Sequence, residues 1–403
     1  MFNIKPLLFA VAICAGVAAL RVDAFAASGA IINNFAVGAR AAVVIEPVTG
    51  KVIFAQNADA KLPMASTTKI MTALLTLEQP DIDKPFVVDP DAIKVEGTSM
   101  GLREGDVVTL RTLAYGMLLP SGNDAANAAA VKISKTVPEF AKLMNSRAKE
   151  LGLMNTNFVT PSGLDAKGHF TTAYDLAMLA GYALQNPDFL EICSSSRAII
   201  SFGDPPYNRY FTNHNRLLKE LDGCIGVKTG FTDTAKRCLV SAAERDGVRL
   251  VCVTLNCPDD WNTHKKLIET CFSRVKLAPS EAELPEINIS VVGGTKPKVT
   301  ALPMAHPMAY SFDSTTVEHT LKYSADKFLY APVKRGKVVG SIDVCSKDKI
   351  IYSTPLLAAE DIPAKQIEPK QKNIFERAIG RLIDILRLHT SEFEYSYANI
   401  KDN

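Results

Sequence analysis

A serine and a lysine three residues apart, in Pro63-Met64-Ala65-Ser66-Thr67-Thr68-Lys69-Ile70-Met71-Thr72, head an apolar-periodic run. On a helix that spacing stacks both side chains on one face. An alkyl hydroxyl is a weak nucleophile at its own pKa and needs an adjacent base, and a partly desolvated lysine can lose its proton to serve as one. Ser66 and Lys69 are therefore a candidate nucleophile and base. The pattern alone decides little, because Ser-x-x-Lys occurs five times, at Ser66, Ser146, Ser273, Ser324 and Ser346. What distinguishes Ser66 is its company downstream: Ser121-Gly122-Asn123, the only Ser-x-Asn, and Lys228-Thr229-Gly230, the only Lys-Thr-Gly.

The elements that must position these residues follow from hydrophobic period. Short β-rich runs at Ala41 to Ile45 and Lys51 to Phe54, separated by Glu46-Pro47-Val48-Thr49-Gly50, read as a hairpin. A helix is expected to start at Ser66. From about Arg111 to Leu184 apolar residues recur at helical spacing, giving a helical block. From Gly223 the period changes, and Ile225 to Thr229, Leu239 to Ala242 and Val248 to Leu255 read as strands, followed by a helix from Asp259 to Val275 that carries the only tryptophan, Trp261. The expected fold class is α+β: an antiparallel sheet flanked by helices, with a helical subdomain and the nucleophile at their seam. Beyond Pro285, runs at Ile287 to Val292, Phe328 to Ala331, Val338 to Val344 and Ile350 to Tyr352 read as a separate small β domain.

Length and composition bound the function. At 403 residues, 47% hydrophobic and with a net charge of +2, the chain has room for two domains and no bias toward nucleic acid or acidic partners. Lys5, an apolar run from Leu7 to Leu20 and Ala24-Phe25-Ala26 form a charged region, a core too short to span a bilayer and a cleavage site. The reading is an export signal over residues 1–26. Removing Cys14 with it leaves seven of the eight cysteines, an odd and sparse set that is no disulfide framework and fits small buried hydrophobes. If its segment is a strand, Cys224 shares a face with Lys228, which would put a thiol near the site. The six histidines and the cysteines show no metal-ligand spacing, so no metal or other cofactor is expected. His169 is assigned to packing or hydrogen bonding.

From about Val43 onward the chain resembles the D-alanyl-D-alanine carboxypeptidase family of low-molecular-mass penicillin-binding proteins. The resemblance rests on the three motifs in order and on Ser99-Met100-Gly101-Leu102, Thr160-Pro161-Ser162-Gly163-Leu164-Asp165, Thr171-Thr172-Ala173-Tyr174-Asp175-Leu176-Ala177, Asn213-His214-Asn215-Arg216-Leu217-Leu218 and Pro332-Val333-Lys334-Arg335-Gly336-Lys337-Val338-Val339-Gly340. It implies the penicillin-recognising serine transpeptidase and β-lactamase-like fold. It implies that Ser66 attacks the carbonyl between two terminal D-alanines of a peptidoglycan stem peptide, that Lys69 takes its proton, and that water hydrolyses the acyl-enzyme. By the same resemblance Ser121 relays a proton to the leaving amine, Asn123 bonds the substrate amide, and Lys228 and Thr229 of Lys228-Thr229-Gly230 recognise the terminal carboxylate. The backbone N–H groups of Ser66 and Phe231 would hold the oxyanion. His214 stands where some relatives carry a carboxylate-binding arginine. β-Lactams are the implied covalent inhibitors. A class A-like β-lactamase and a catalytically inactive cell-wall binder remain alternatives; the first lacks its Glu-x-x-Leu-Asn segment here, and the second is disfavoured by three intact motifs.

Over Lys372 to Leu388, Ile374, Phe375, Ala378, Ile379, Leu382, Ile383, Ile385 and Leu386 fall on one half of a helical wheel, opposite Glu376, Arg377, Asp384 and Arg387. This segment suits a helix lying in the headgroup layer, and the resemblance points the same way. Packing on the small β domain is the competing reading. The expected organisation is a signal at 1–26, a catalytic domain at 27–277, a β domain at 278–366 and a membrane-associated helix and tail at 367–403. The expected place is outside the cytoplasm, peripherally attached to the outer face of the cytoplasmic membrane.

Overall fold

The computed structural model describes residues 36–313, 315–346, 349–366, 378–379 and 381–383; the expected signal and most of the expected C-terminal helix lie outside them. The N-terminal β-rich runs form strands Ala41–Glu46 and Lys51–Gln56, paired antiparallel. Their turn is closed by the buried Glu46 carboxylate, which accepts from the Val48 and Thr49 N–H groups at 2.8 and 2.7 Å and from the Thr49 hydroxyl at 2.5 Å. Burial nevertheless raises the Glu46 pKa.

The main sheet has five antiparallel strands in the order Lys51–Gln56, Ala41–Glu46, Val248–Leu255, Lys236–Arg245, Cys224–Thr232. Alternation sends Val43, Ile45, Val240, Ala242, Val251 and Val253 into one core with the helical block. Ala42, Val44, Leu239, Ala243, Leu250 and Cys252 go to the other face, against Leu267, Ile268 and Cys271 of helix Asp260–Phe272. On that second face the buried His264 bridges Ser241 at 2.6 Å and Thr254 at 2.9 Å, tying helix to sheet, and burial drives its pKa down to about 3. The sheet flanked by helices is as expected.

Within the helical block, Thr109, Thr136 and Thr172 cap helices Leu110–Leu118, Val137–Glu150 and Ala173–Ala183 by accepting a backbone N–H in the first turn. Helix Lys69–Leu77 is enclosed by them, all nine of its residues buried. Three details differ from the sequence reading. The α-helix begins at Lys69, and Ser66 sits before it on a 3₁₀ turn, Ala65–Thr68. Helix Asp260–Phe272 stops short of Val275, which opens a strand, Val275–Pro279, paired with Met308–Phe312. A hairpin of Arg197–Gly203 and Pro206–Thr212 was not anticipated, because its exposed strands carry arginine, asparagine and glycine in place of clean alternation.

The chain divides into two compact units. Of the described residues, the first holds those up to Glu283 together with those within His306–Lys322 and Ile342–Thr354. The second contains Leu284–Ala305, Tyr323–Ser341 and the described residues from Pro355 to 366. In it, strands Ile287–Val292 and Lys298–Pro303 pair antiparallel, Phe328–Tyr330 adds parallel to the former, and Leu356 to Ala358 adds antiparallel to the latter. Of the C-terminal segment, the described residues Ala378, Ile379, Arg381, Leu382 and Ile383 are exposed.

Candidate active site

Ser66, Lys69, Ser121, Asn123 and Lys228 come from three separate stretches of chain and gather around one cavity of about 460 Å³, which Ser66, Ser121, Asn123, His214, Thr229 and Phe231 help to line. The 3₁₀ turn has three residues per turn, so Ser66 and Lys69 lie in nearly the same direction. Lys69 Nζ stands 2.9 Å from Ser66 Oγ. Its other two partners are Asn123 Oδ1 and the Ser162 carbonyl oxygen, both at 2.7 Å.

Those two oxygens accept and never donate. They fix two N–H bonds of Lys69 whatever its charge, so the third position faces Ser66 either as an N–H or as a lone pair. As an amine, Lys69 can take the hydroxyl proton without moving its other two bonds. Complete burial and the nearby Lys228 charge push its pKa well below the usual lysine range, against a smaller opposing effect of Asp124. Two of the other Ser-x-x-Lys serines are engaged elsewhere: Ser146 donates to Glu150 at 3.4 Å, and Ser273 donates to the Thr270 carbonyl at 2.7 Å.

Ser121 has φ of +63° at the head of helix Asn123–Ser134, a backbone conformation that non-glycine residues seldom adopt. Lys228 Nζ donates to Ser121 Oγ at 2.9 Å and to the Thr229 carbonyl at 2.8 Å. Asn123 Nδ2 donates to the Glu96 carbonyl at 2.7 Å, which orients its oxygen toward Lys69. Asp124 anchors the other wall, accepting from Ser99 Oγ at 2.5 Å and from the N–H groups of Met100, Gly101 and Leu102. Burial lowers the Lys228 pKa to about 7.

Strand Cys224–Thr232 is the sheet edge, so its outward backbone groups are unpaired by the sheet. A Cβ on Gly230 would lie 3.0 Å from Ser66 N and 3.1 Å from Thr67 N, so the absent side chain lets the strand backbone approach the nucleophile's turn. Phe231, next along the strand, is exposed. His214 is exposed at the cavity; partial burial and the Lys228 charge hold it below the usual imidazole value.

One sequence expectation is overturned. A β-bulge between Cys224 and Gly226 shifts the register, pairing Cys224 with Ala243 while Lys228 pairs with Val240. Adjacent positions on the partner strand alternate faces, and the extra residue puts Cys224 on the face opposite Lys228, where it packs against the second core. The seven cysteines described are free thiols, six of them buried.

Sequence reasoning gave no site role to the segment from Asn157 to Thr171. It supplies Ser162 O to Lys69, and His169 locks it in place. His169 Nδ1 accepts from the N–H groups of Val159 and Thr160 at 2.9 and 3.3 Å, which fixes Nε2 as the protonated nitrogen. Nε2 donates to Thr68 Oγ1 at 2.8 Å, and that hydroxyl donates to the Ala65 carbonyl at 2.8 Å. Burial holds the His169 pKa near about 4, consistent with a neutral ring that bridges loop and turn. Gly163, with φ of +85°, is held to glycine by the same contact: a Cβ there would sit 1.9 Å from the Ala65 oxygen. The signal for this segment was Thr160-Pro161-Ser162-Gly163, but a main-chain oxygen carries no side-chain signature.

A fixed hydroxyl, an amine poised to deprotonate it, and a second cation and hydroxyl across a cavity are the equipment of an enzyme that forms a serine-linked acyl intermediate. Residues 27–259 match the family described as D-alanyl-D-alanine carboxypeptidase, and residues 311–364 match the C-terminal domain of penicillin-binding protein 5. The chain is 32% identical over 336 residues to the D-alanyl-D-alanine carboxypeptidase DacF of Bacillus subtilis, a match covering 80% of this chain and 86% of the relative. It is 33% identical over 350 residues to DacC of Escherichia coli, covering 81% and 84%. The structure of DacD from Francisella tularensis superposes with a TM-score of 0.59 at 26% identity, over 83% of this chain and 96% of that one. The chain belongs to the D-alanyl-D-alanine carboxypeptidase family and is a serine-type D-Ala-D-Ala carboxypeptidase of peptidoglycan metabolism.

As proposed base and proposed reader of the terminal carboxylate, Lys69 and Lys228 are expected to set opposite limbs of a pH profile. A base must be deprotonated, so kcat/KM is expected to rise as pH climbs through the depressed Lys69 pKa. An ammonium that recognises a carboxylate must be protonated, so kcat/KM on a peptide with a free terminal carboxylate falls as pH passes about 7 and Lys228 loses its proton. On the methyl ester of the same peptide the falling limb is expected to vanish. An identical falling limb on both substrates would show that Lys228 does not read the carboxylate.

Proposed function

We propose that Ser66 is the nucleophile that removes the terminal D-alanine from peptidoglycan stem pentapeptides, with Lys69 as its base. The carrying observation is the three-partner setting of Lys69, buried, with two acceptor-only oxygens and Ser66 Oγ 2.9 Å away. Lys69 takes the Ser66 proton as Oγ attacks the carbonyl between the two D-alanines. Ser66 N–H and Phe231 N–H stabilise the oxyanion, a role in which one donor is worth about 3–4 kcal/mol of barrier. Collapse breaks the C–N bond, and Ser121 passes a proton to the leaving amine. Asn123 retains one N–H beyond its bond to Glu96, and this reaches the substrate amide. Lys228 and Thr229 hold the carboxylate of the departing residue, Gly230 admits the substrate backbone beside Ser66, and His214 borders the carboxylate. Water attacks the ester, freeing Ser66 and the tetrapeptide.

β-Lactams present a strained amide and a carboxylate in this arrangement and acylate Ser66. Ser66→Ala replaces a hydroxyl by hydrogen without opening a void, so the fold is expected to persist while penicillin labelling and peptide hydrolysis are both lost. A fluorescent penicillin adduct on that variant, or peptide mapping of the wild-type label to another serine, would overturn the assignment.

The placement proposed for the chain is outside the cytoplasm: residues 1–26 direct export, 27–277 catalyse, and 367–403 attach the protein to the outer face of the cytoplasmic membrane. Among the described residues no helix is long and apolar enough to cross a membrane. The wheel over Lys372 to Leu388 supports surface attachment, with Ile379, Leu382 and Ile383 exposed. A chain ending at Lys370 is expected to hydrolyse soluble peptide normally yet fail to sediment with anionic liposomes. Equal sedimentation of both chains would remove the anchor, and loss of folding on truncation would favour packing of the segment on the protein.

A further inference from the structure

Period alone would put an apolar residue at position 209. Alternation along hairpin Arg197–Gly203 and Pro206–Thr212 sends Ala198, Ile200, Phe202 and Phe211 inward, and Arg209, the register partner of Ile200, shares their face. Its side chain is only 11% exposed. A charge drawn that far out of water is costly unless its surroundings compensate it. The guanidinium carbon lies 4.2 Å from the centre of the Phe202 ring and 3.9 Å from that of Tyr207, and Nη2 stands 3.5 Å from a carboxylate oxygen of Asp106. The remaining contact leaves the hairpin altogether: Arg209 Nη1 donates to the Gly101 carbonyl at 2.8 Å.

Gly101 belongs to the stretch that wraps the Ser121–Asn123 turn. The Thr98 carbonyl accepts the Asn123 N–H at 2.7 Å, the Thr98 hydroxyl donates to the Ser121 carbonyl at 2.5 Å, and the Glu96 carbonyl accepts from Asn123 Nδ2 at 2.7 Å. The last of these turns Asn123 Oδ1 toward Lys69, 2.7 Å away. Residues 96–102 belong to no helix or strand, so they have no ladder of their own and their path depends on such ties. Gly97 and Thr98 line the catalytic cavity, and the hairpin that carries Arg209 runs on into His214, which lines it as well. Arg209 thus joins the elements that supply two parts of one wall.

We propose that Arg209 is a positioning residue for the reaction: its bond to the Gly101 carbonyl holds residues 96–102 on the Ser121–Asn123 turn, which keeps Asn123 Oδ1 on Lys69. This rests on the reading of Ser66 and Lys69 given above. Arg209 does not line the cavity and acts through Asn123. An arginine suits the task, because its planar group stacks on aromatic rings while an N–H in the same plane reaches a carbonyl.

The test is a double-mutant cycle on the full chain, read as the second-order rate of acylation by a fluorescent penicillin. Arg209→Met keeps an unbranched side chain that packs on aromatic rings and removes both the donor and the charge. Alone it is expected to slow acylation about tenfold, since a shift of a fraction of an ångström at a catalytic group is enough for that. In the Asn123→Ala background it is expected to slow the remaining rate by no more than about twofold, because the route through which Arg209 acts is already gone. The same factor in both backgrounds, or a rate within about twofold of wild type in Arg209→Met alone, overturns the proposal. If Arg209→Met does not fold, Arg209→Lys, which keeps a cation beside the rings, takes its place in the cycle. Acylation of Asn123→Ala at the wild-type rate overturns the reading of Asn123 and Lys69 instead. Where Asn123→Ala acylates too slowly to follow, the ¹⁵Nζ resonance of Lys69 decides. It is expected to move in Arg209→Met, and a Lys69 resonance left where wild type has it overturns the proposal.

Discussion

A primary amine buried with no carboxylate among its hydrogen-bond partners is the constraint on which this structure depends. Lys69 meets Asn123 Oδ1, Ser162 O and Ser66 Oγ, and each partner belongs to a different stretch of chain. Desolvation favours the neutral amine, while the two fixed acceptors keep the nitrogen in place through a change of charge. Holding them there requires the enclosed helix Lys69–Leu77, the turn at Ser121 with positive φ, and the segment clamped by His169. Small errors in such positions are costly, since a misplacement of about 1 Å can lower a rate about 100-fold.

The glycines and histidine around the site serve that constraint. Gly163 and Gly230 allow two later stretches of backbone to close on the Ala65–Thr68 turn, and a Cβ at either would meet main-chain atoms of that turn. His169 fastens the turn from below with a single tautomer. Strand Cys224–Thr232, left at the sheet edge, gives the cavity its unpaired main chain.

Most of this was legible in the sequence where side-chain chemistry or period carries the signal. Ser66, Lys69, Ser121, Asn123 and Lys228 could be named from three motifs, and the sheet with its helical block from the change of period after Gly223. Main-chain contributions were not legible: Ser162 acts through its carbonyl, which any residue possesses. The face of Cys224 was misread because a bulge adds one residue without a compositional mark, and one residue inverts a strand's faces. The first compact unit also regains residues of His306–Lys322, a return that local pattern cannot show because it is set by pairing of Met308–Phe312 with Val275–Pro279.

The central claim is that burial makes Lys69 give up its proton well below the usual lysine range, so that an amine can face Ser66. Its side-chain pKa can be followed directly by NMR of protein labelled at lysine ¹³Cε and ¹⁵Nζ, with the resonance assigned from a Lys69→Arg variant. The account predicts that Lys69 titrates well below the exposed lysines. A Lys69 resonance that stays in its ammonium position through the range where exposed lysines titrate would contradict it.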